Sequence, residues 1–190
     1  MTNISIIGTG TMGKALAQLF TRSGSDVQLI SHEEAPGTIQ GEIVVLAVPY
    51  PALADLASTA ASQLDGRIVV DITNPVDFST FSPIKPEAGS ATAELAAALP
   101  TAHVLKAFNT NLAATLAAGT TGPAPVSVLI AGDDESAKKT LSEAVTASGA
   151  SAYDVGGLAR AAELEAAGYL QIALAASGQI GWTNGFALYK

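Results

Sequence analysis

Three glycines near the start of the chain have the spacing of a phosphate-binding loop. Residues 4–13 read Ile-Ser-Ile-Ile-Gly-Thr-Gly-Thr-Met-Gly, and Met12, Leu16, Leu19 and Phe20 continue with a helical period. Gly8-x-Gly10-x-x-Gly13 therefore sits between a strand and a helix. Gly8 permits a tight turn, Gly10 lets a pyrophosphate approach the backbone, and Gly13 lets the helix pack close to the strand. The helix N-terminus supplies N–H groups to an anion. In this context the motif points to a dinucleotide. Thr9 and Thr11 add hydroxyls, and Met12 completes the loop. Lys14, one turn on, reads equally well as a phosphate contact or a solvated surface lysine.

A dinucleotide on an open α/β sheet lies beyond the carboxyl ends of the strands, so four such ends define the remaining candidates. Ser31-His32 follows the second strand; Ala47-Val48-Pro49-Tyr50 follows the third; Thr73-Asn74-Pro75 follows the fourth; Ala107-Phe108-Asn109-Thr110 follows the fifth. At the second end, a carboxylate would serve an NAD ribose and repel a 2′-phosphate. Ser31 and His32 instead suit a phosphate and favour NADP. Glu33 and Glu34 either face solvent or, turned inward, oppose that phosphate. If His32 pairs with it, NADP affinity falls as pH rises through the imidazole range near about 6.5. Pro49 and Tyr50 could wall the dinucleotide, with Tyr50 equally suited to plain packing. Asn74 and Asn109-Thr110 could hold a carboxamide or simply form turns. His103 opens a strand away from this edge and reads as structural, and Asp133-Asp134-Glu135 reads as a helix-capping run.

Missing chemistry narrows the field. There is no cysteine, so disulfides, thiolate metal sites and cysteine nucleophiles are excluded. No clustered metal ligands, Ser-His-Asp order or His-x-x-x-His is present. No general acid or base is evident, which disfavours carbonyl or alcohol chemistry. Hydride transfer between two rings needs mainly their alignment. The net charge of −8, from 17 acidic and 9 basic residues, argues against nucleic acid and anionic membranes. No apolar run reads as a membrane span, and the first strand occupies the place of a signal peptide, so a cytoplasmic protein is expected.

These residues need an alternating framework. Strands are expected at Ile4–Ile7, Val27–Ile30, Ile43–Val48, Ile68–Ile72, Val104–Lys106, Val126–Ile130 and Ala152–Val155. Helices are expected near 11–23, 51–63, 90–99, 134–148 and 157–178, and prolines 75, 83 and 86 argue against regular structure at 73–89. The pattern predicts α/β architecture: a Rossmann-type doubly wound, mostly parallel sheet with a C-terminal helical extension, forming one domain over residues 1–190. Ser31 to Glu42 is too short for the usual crossover, so a helix and perhaps a strand are trimmed there. The helix from about 157 is apolar on more than one face, and Trp182, Phe186 and Leu188 follow it. This predicts a homodimer interface, the alternative being a tail folded back on its own domain.

Gly8-Thr-Gly-Thr-Met-Gly13-Lys, Val48-Pro49-Tyr50, Lys106-Ala-Phe-Asn-Thr110 and Ala131-Gly-Asp-Asp-Glu-Ser136 together resemble the NADPH-dependent deazaflavin (coenzyme F420) reductases. They also resemble the cytosolic oxidoreductase domain of STEAP-type metalloreductases, the Lys106–Thr110 run especially. The match extends through Gly156-Gly-Leu158 and the helix after it. The resemblance implies nicotinamide near Asn74-Pro75 and Ala107 to Thr110, facing a flavin-type ring, with Ser31-His32 in place of a phosphate-binding Ser-Arg pair. Histidine for arginine is a departure that bears on NADP preference, and the short 31–42 segment bears on the adenine contacts. The chain contains no membrane domain, so STEAP-like transmembrane electron transfer is not expected of it. The expected function is an NADP(H)-binding oxidoreductase passing hydride to a flavin or deazaflavin, a small-molecule redox acceptor. Its rivals are a pyrroline-carboxylate-type imine reductase and a non-catalytic dinucleotide sensor. About thirty residues after the last expected strand disfavour the former.

Overall fold

Continuous apolar runs become central strands because both their faces are covered. The computed structural model describes residues 2–31, 34 and 39–189. Its elements in chain order are β1 (Asn3–Ile7), α1 (Thr11–Arg22), β2 (Asp26–Ile30), β3 (Ile43–Leu46), α2 (Leu53–Thr59), α3 (Ala61–Leu64), β4 (Ile68–Asp71), β5 (Val76–Asp77), β6 (Ser82–Pro83), α4 (Ala91–Ala98), β7 (His103–Lys106), α5 (Ala113–Ala118), β8 (Thr120–Thr121), β9 (Ala124–Pro125), β10 (Ser127–Gly132), α6 (Glu135–Ala147), β11 (Ser151–Gly156) and α7 (Ala161–Ala176). Seven strands form one sheet in the order β11-β10-β7-β4-β3-β1-β2. Alternate residues feed two cores. Ile43, Val45, Ile68 and Val70 pack with Leu16, Phe20 and Leu141 on one face. Val44, Leu46 and Val69 pack with Leu53, Leu56 and Leu95 on the other.

The sheet is the expected mostly parallel, Rossmann-type doubly wound sheet, with one antiparallel pair. β10 runs antiparallel to β7, and β11 runs parallel to β10. The connection explains the reversal. Between β7 and β10 the only helix is the six-residue α5, which advances the chain about 9 Å. A strand entering from the same side of the sheet needs no return crossover. α5 itself is a helix that the periodicity does not announce; six residues carry too few apolar repeats. Arg22 secures it by donating to the carbonyl oxygens of Leu116 and Ala117, both at 2.9 Å.

Three further differences are local. The 73–89 segment holds the small β5–β6 hairpin, where Pro83 pairs opposite Val76 in an isolated ladder that has no further strand to serve. The expected helix at 51–63 is a 3-10 turn followed by α2 and α3, broken at Ala60. The run Ile43–Val48 ends as strand at Leu46 because residues 47–50 turn across the sheet edge. No helix among the described residues is long and apolar enough to cross a membrane.

Candidate dinucleotide site at the strand ends

β1 and β3 are neighbours, yet the chain leaves β1 towards β2 and later elements stack beyond β3. Such a switch point opens a crevice at the carboxyl ends of the strands. The glycine loop lies there. Gly8 donates to the carbonyl oxygen of Ile30 at 2.8 Å, and Ala47 donates to that of Ile7 at 2.8 Å. Gly8 has φ +121°, and a Cβ on it would lie 2.1 Å from the Ala47 oxygen. A Cβ on Gly13 would lie 1.8 Å from the Gly8 oxygen. Gly8 and Gly13 thus close the turn. Gly10 differs: a Cβ there meets no heavy atom within 4 Å. It caps α1 without any side-chain hydrogen bond, and the first turn carries no acidic residue. Helices α4 and α6, by contrast, are capped by Ser90 and Asp134. The α1 N-terminus is left open for an anion. Thr9 and Thr11 are exposed beside it, and Met12 packs against the core.

The second strand end is partly described. Ser31 donates its hydroxyl to Glu34 Oε2 at 2.9 Å, and its N–H lies 3.4 Å from the same atom. Glu34 therefore turns toward Ser31. His32 and Glu33 lie outside the described residues.

The other strand ends surround a cavity of about 550 Å³. Gly10, Thr11 and Met12 line it with Ala47 to Tyr50, Thr73, Asn74, Phe108 and Asn109. Pro75, Ala107 and Thr110 support it from behind. The Pro75 carbonyl accepts from Ile84, Ala107 donates to the Asp71 carbonyl, and the Thr110 carbonyl accepts from Gln171 Nε2. The two asparagines bind each other. Asn74 Nδ2 donates to the Asn109 carbonyl at 2.7 Å, and Asn109 Nδ2 donates to Asn74 Oδ1 at 2.9 Å and to the Leu164 carbonyl at 2.7 Å. Asn74 therefore acts as a strut between two strand ends. Phe108 turns the chain through φ +61° with its ring fully buried, edge-on to Phe20 at 5.7 Å. A left-handed non-glycine residue costs about 1–3 kcal/mol, and such strain gathers at functional sites.

Three buried oxygens in this wall have no hydrogen-bond partner: Thr73 Oγ1, Asn109 Oδ1 and Asn111 Oδ1. All three residues line the cavity. Buried polar atoms are almost always paired, so these three oxygens stand out in the wall. Tyr50 is committed elsewhere. Its phenol donates to Glu94 Oε2 at 2.8 Å, and burial together with that carboxylate pushes its pKa up to about 12. It walls the cavity and ties it to α4, and at neutral pH it does not serve as a base.

Sequence reasoning missed what lies beneath. Lys106, fully buried, donates to Asp71 Oδ2 at 2.9 Å, Glu165 Oε1 at 2.9 Å and the Thr73 carbonyl at 2.6 Å. Thr92 donates to Asp71 at 2.7 Å, and Asp71 Oδ1 accepts from the Thr73 N–H at 2.8 Å. Gly168 lets α7 approach: a Cβ there would lie 2.3 Å from Asn74 Oδ1. Helix α7 thus crosses the strand ends and fixes them. Its buried stripe is Ala161, Leu164, Glu165, Gly168, Gln171, Ile172 and Ala175. Glu165, Gly168 and Gln171, three residues apart in turn, were the available signal, obscured by the leucines around them. The tail then folds back: Phe186 donates to Gln171 Oε1 at 2.8 Å, and Leu188 to Ser127 Oγ at 3.0 Å. His103 sits apart, 2.6 Å from Asp134. Among the described residues no group of three or more histidines or carboxylates could hold a metal.

The model of the family described as "NADP oxidoreductase coenzyme F420-dependent" matches residues 28–75. Metalloreductase STEAP3 of Rattus norvegicus is 33% identical over 181 residues, covering 86% of this chain and 36% of that protein; the chain thus spans about a third of STEAP3. The F420-dependent NADP reductase of Methanocaldococcus jannaschii is 27% identical over 167 residues, covering 85% of this chain and 74% of that protein. A solved structure from Arthrobacter sp. FB24, described as an F420-dependent NADP reductase, superposes with a TM-score of 0.83 over the full length of both chains at 23% identity, a likeness of fold. With the glycine loop, the switch-point crevice and the amide-lined cavity, these matches make the chain similar to the NADP-dependent, coenzyme F420-type oxidoreductases.

Proposed function

We propose that this chain binds NADP(H) at the β1–β3 crevice and passes hydride between nicotinamide and a flavin or deazaflavin ring. One observation carries the reading. The cavity at the strand ends is lined by neutral side chains, the polar Thr73, Asn74, Asn109 and Asn111 among them, and no described residue lining it is a charged acid or base. Gly8, Thr9, Gly10, Thr11, Met12 and Gly13 receive the pyrophosphate, and Ser31 with His32 receives the 2′-phosphate. Ala47 to Tyr50 wall the dinucleotide. Thr73 and Asn109 take the carboxamide, with Asn74, Pro75, Ala107, Phe108 and Thr110 holding them in place. When bound, the reduced nicotinamide supplies the hydride and the acceptor ring takes it. The chain's own contribution is to align the two and exclude water. An imine reductase would need a group to protonate the product nitrogen, and Tyr50, tied to Glu94, is poorly suited to that. Screening NADPH oxidation with FMN, FAD, a deazaflavin and simple cyclic imines tests the reading. Turnover with the ring acceptors supports it; turnover with imines alone contradicts it.

Glu34 tempers the NADP preference. Its carboxylate, held on Ser31, faces the place proposed for the 2′-phosphate. Glu34→Gln should strengthen NADP binding roughly threefold to tenfold, as expected from removing one nearby like charge in a wet site. NAD binding should not gain. Calorimetric titration with both nucleotides checks this, and equal gains for the two would place Glu34 away from the phosphate.

The protein is proposed to act as a homodimer in the cytoplasm, as a single Rossmann-type domain over residues 1–190. Leu170 on α7 is 53% exposed, and Phe186, Leu188 and Tyr189 of the tail remain exposed even though their backbone folds back. A second copy laid across α7 would cover them. Sedimentation at micromolar concentration should give about twice the 19.0 kDa chain mass. A clean monomer with and without NADP would rule the dimer out.

A further inference from the structure

Two exposed aromatic side chains from segments far apart in sequence line the same cavity. Phe78 sits at the tip of the β5–β6 hairpin and is 59% exposed; Trp182 sits in the turn after α7 and is 51% exposed. Both line the cavity, whose apolar wall continues through Leu112 and Ile172. Neither position is left slack. Asp77 accepts from the Ser79 N–H at 2.8 Å, the Ser79 hydroxyl at 2.7 Å and the Thr80 hydroxyl at 3.0 Å, which fixes the hairpin tip. Phe81 then braces the Phe78 ring edge-on at 6.2 Å. In the tail, Asn184 donates to the Gly181 carbonyl at 2.9 Å and closes the turn that carries Trp182. Exposed aromatics on fixed supports at the rim of an apolar cavity make a stacking surface.

The geometry points to Phe78 and Trp182 as the two jaws of an acceptor subsite that grips a planar conjugated ring and leaves the rest of the acceptor outside. The inference rests on the reading above for its choice of ring, a flavin-class heterocycle. It adds where that ring sits and what the site ignores. A cavity of about 550 Å³ is in the range that encloses drug-sized ligands and exceeds what nicotinamide alone would fill. No described lining residue is charged, so no ion pair there holds an acidic tail on the acceptor. The chain's net charge of −8 works against such a tail further out. Recognition then depends on the ring face, and lumiflavin, which has no side chain to speak of, should bind as well as FMN.

The test uses the wild-type chain saturated with NADP+ and follows the fluorescence of lumiflavin and of FMN. Stacking on indole quenches flavin emission, and Trp182 is the single tryptophan of the chain. Saturable quenching is expected, with dissociation constants for the two flavins within about threefold. Trp182→Ala and Phe78→Ala should each weaken binding roughly tenfold, while Trp182→Phe recovers most of the affinity without the quench. NADP+ affinity, measured by calorimetry, should stay within about twofold in all three. Both side chains are exposed, so these variants are expected to fold. Unchanged flavin binding in the alanine variants overturns the subsite, as does FMN binding far more tightly than lumiflavin or the absence of any lumiflavin binding. If turnover with flavins survives in Trp182→Ala with unchanged KM, the subsite falls while the hydride reading stands. If lumiflavin binds through Trp182 but is never reduced by NADPH, the subsite stands and the hydride reading falls.

Discussion

Gly10→Val is expected to fold like the wild type and to lose NADP(H) affinity by at least about a hundredfold. The two halves of this result have separate causes. Gly10 has φ −72° and ψ −171°, extended backbone that any residue adopts. A Cβ there meets nothing within 4 Å. Valine is a poorer N-cap than glycine, at a cost of about 1 kcal/mol or less, which lowers Tm by only about 2–4 °C for a chain of this size. The isopropyl group, however, fills the space in front of the α1 N–H groups. Circular dichroism with calorimetric titration separates fold from binding. Gly8→Ala and Gly13→Ala provide the contrast. Their Cβ atoms would overlap backbone at 2.1 and 1.8 Å, so they should lose stability as well as affinity. A folded Gly10→Val protein with wild-type affinity would move the pyrophosphate elsewhere.

The largest loss of stability is expected from Lys106→Met, about 3–5 kcal/mol. Lys106 is the cation shared by two buried carboxylates and a buried carbonyl. Removing it leaves Asp71 and Glu165 facing each other without a counterion, and deprives the Thr73 carbonyl of its donor. Tm should fall by roughly 10 °C or more, and nucleotide binding should weaken because Thr73 and α7 lose their common anchor. Adding Glu165→Gln to Lys106→Met removes one of the stranded charges and should restore part of the loss, a coupling that thermal melts of the double-mutant cycle would measure. Strict additivity of the two substitutions would mean that Lys106 and Glu165 do not act as a pair.

How much of this was legible in the chain depends on the range of the forces involved. The glycine loop and the strand ends could be read because their demands are local: a tight turn, a close approach, an apolar run covered on both faces. Asp134 as a helix cap is equally local. The direction of β10 and β11 was not legible, because an apolar run carries no polarity and the reversal follows from the length of α5. The buried stripe of α7 was misjudged for a related reason. Glu165 and Gln171 are buried because their partners, Lys106 and Thr110, arrive from β7 and the loop after it. Hydrophobicity alone favours Leu170, which the fold leaves exposed. Asn74 and Asn109 could each be placed at a strand end, yet their mutual pairing depends on a contact across two loops that the sequence does not show. The hairpin carrying Phe78 lay in a proline-rich stretch where no periodicity could reveal it.

The central claim is direct hydride transfer from NADPH to a ring held in the strand-end cavity. NADPH carrying deuterium at one face of C4, incubated with the protein and a deazaflavin, tests it most directly. The account predicts that deuterium from one of the two C4-labelled forms appears at C5 of the reduced deazaflavin, without exchange into water, and that Gly10→Val abolishes the transfer. Oxidation of NADPH with the label lost to water, or no transfer from either labelled form, would contradict it.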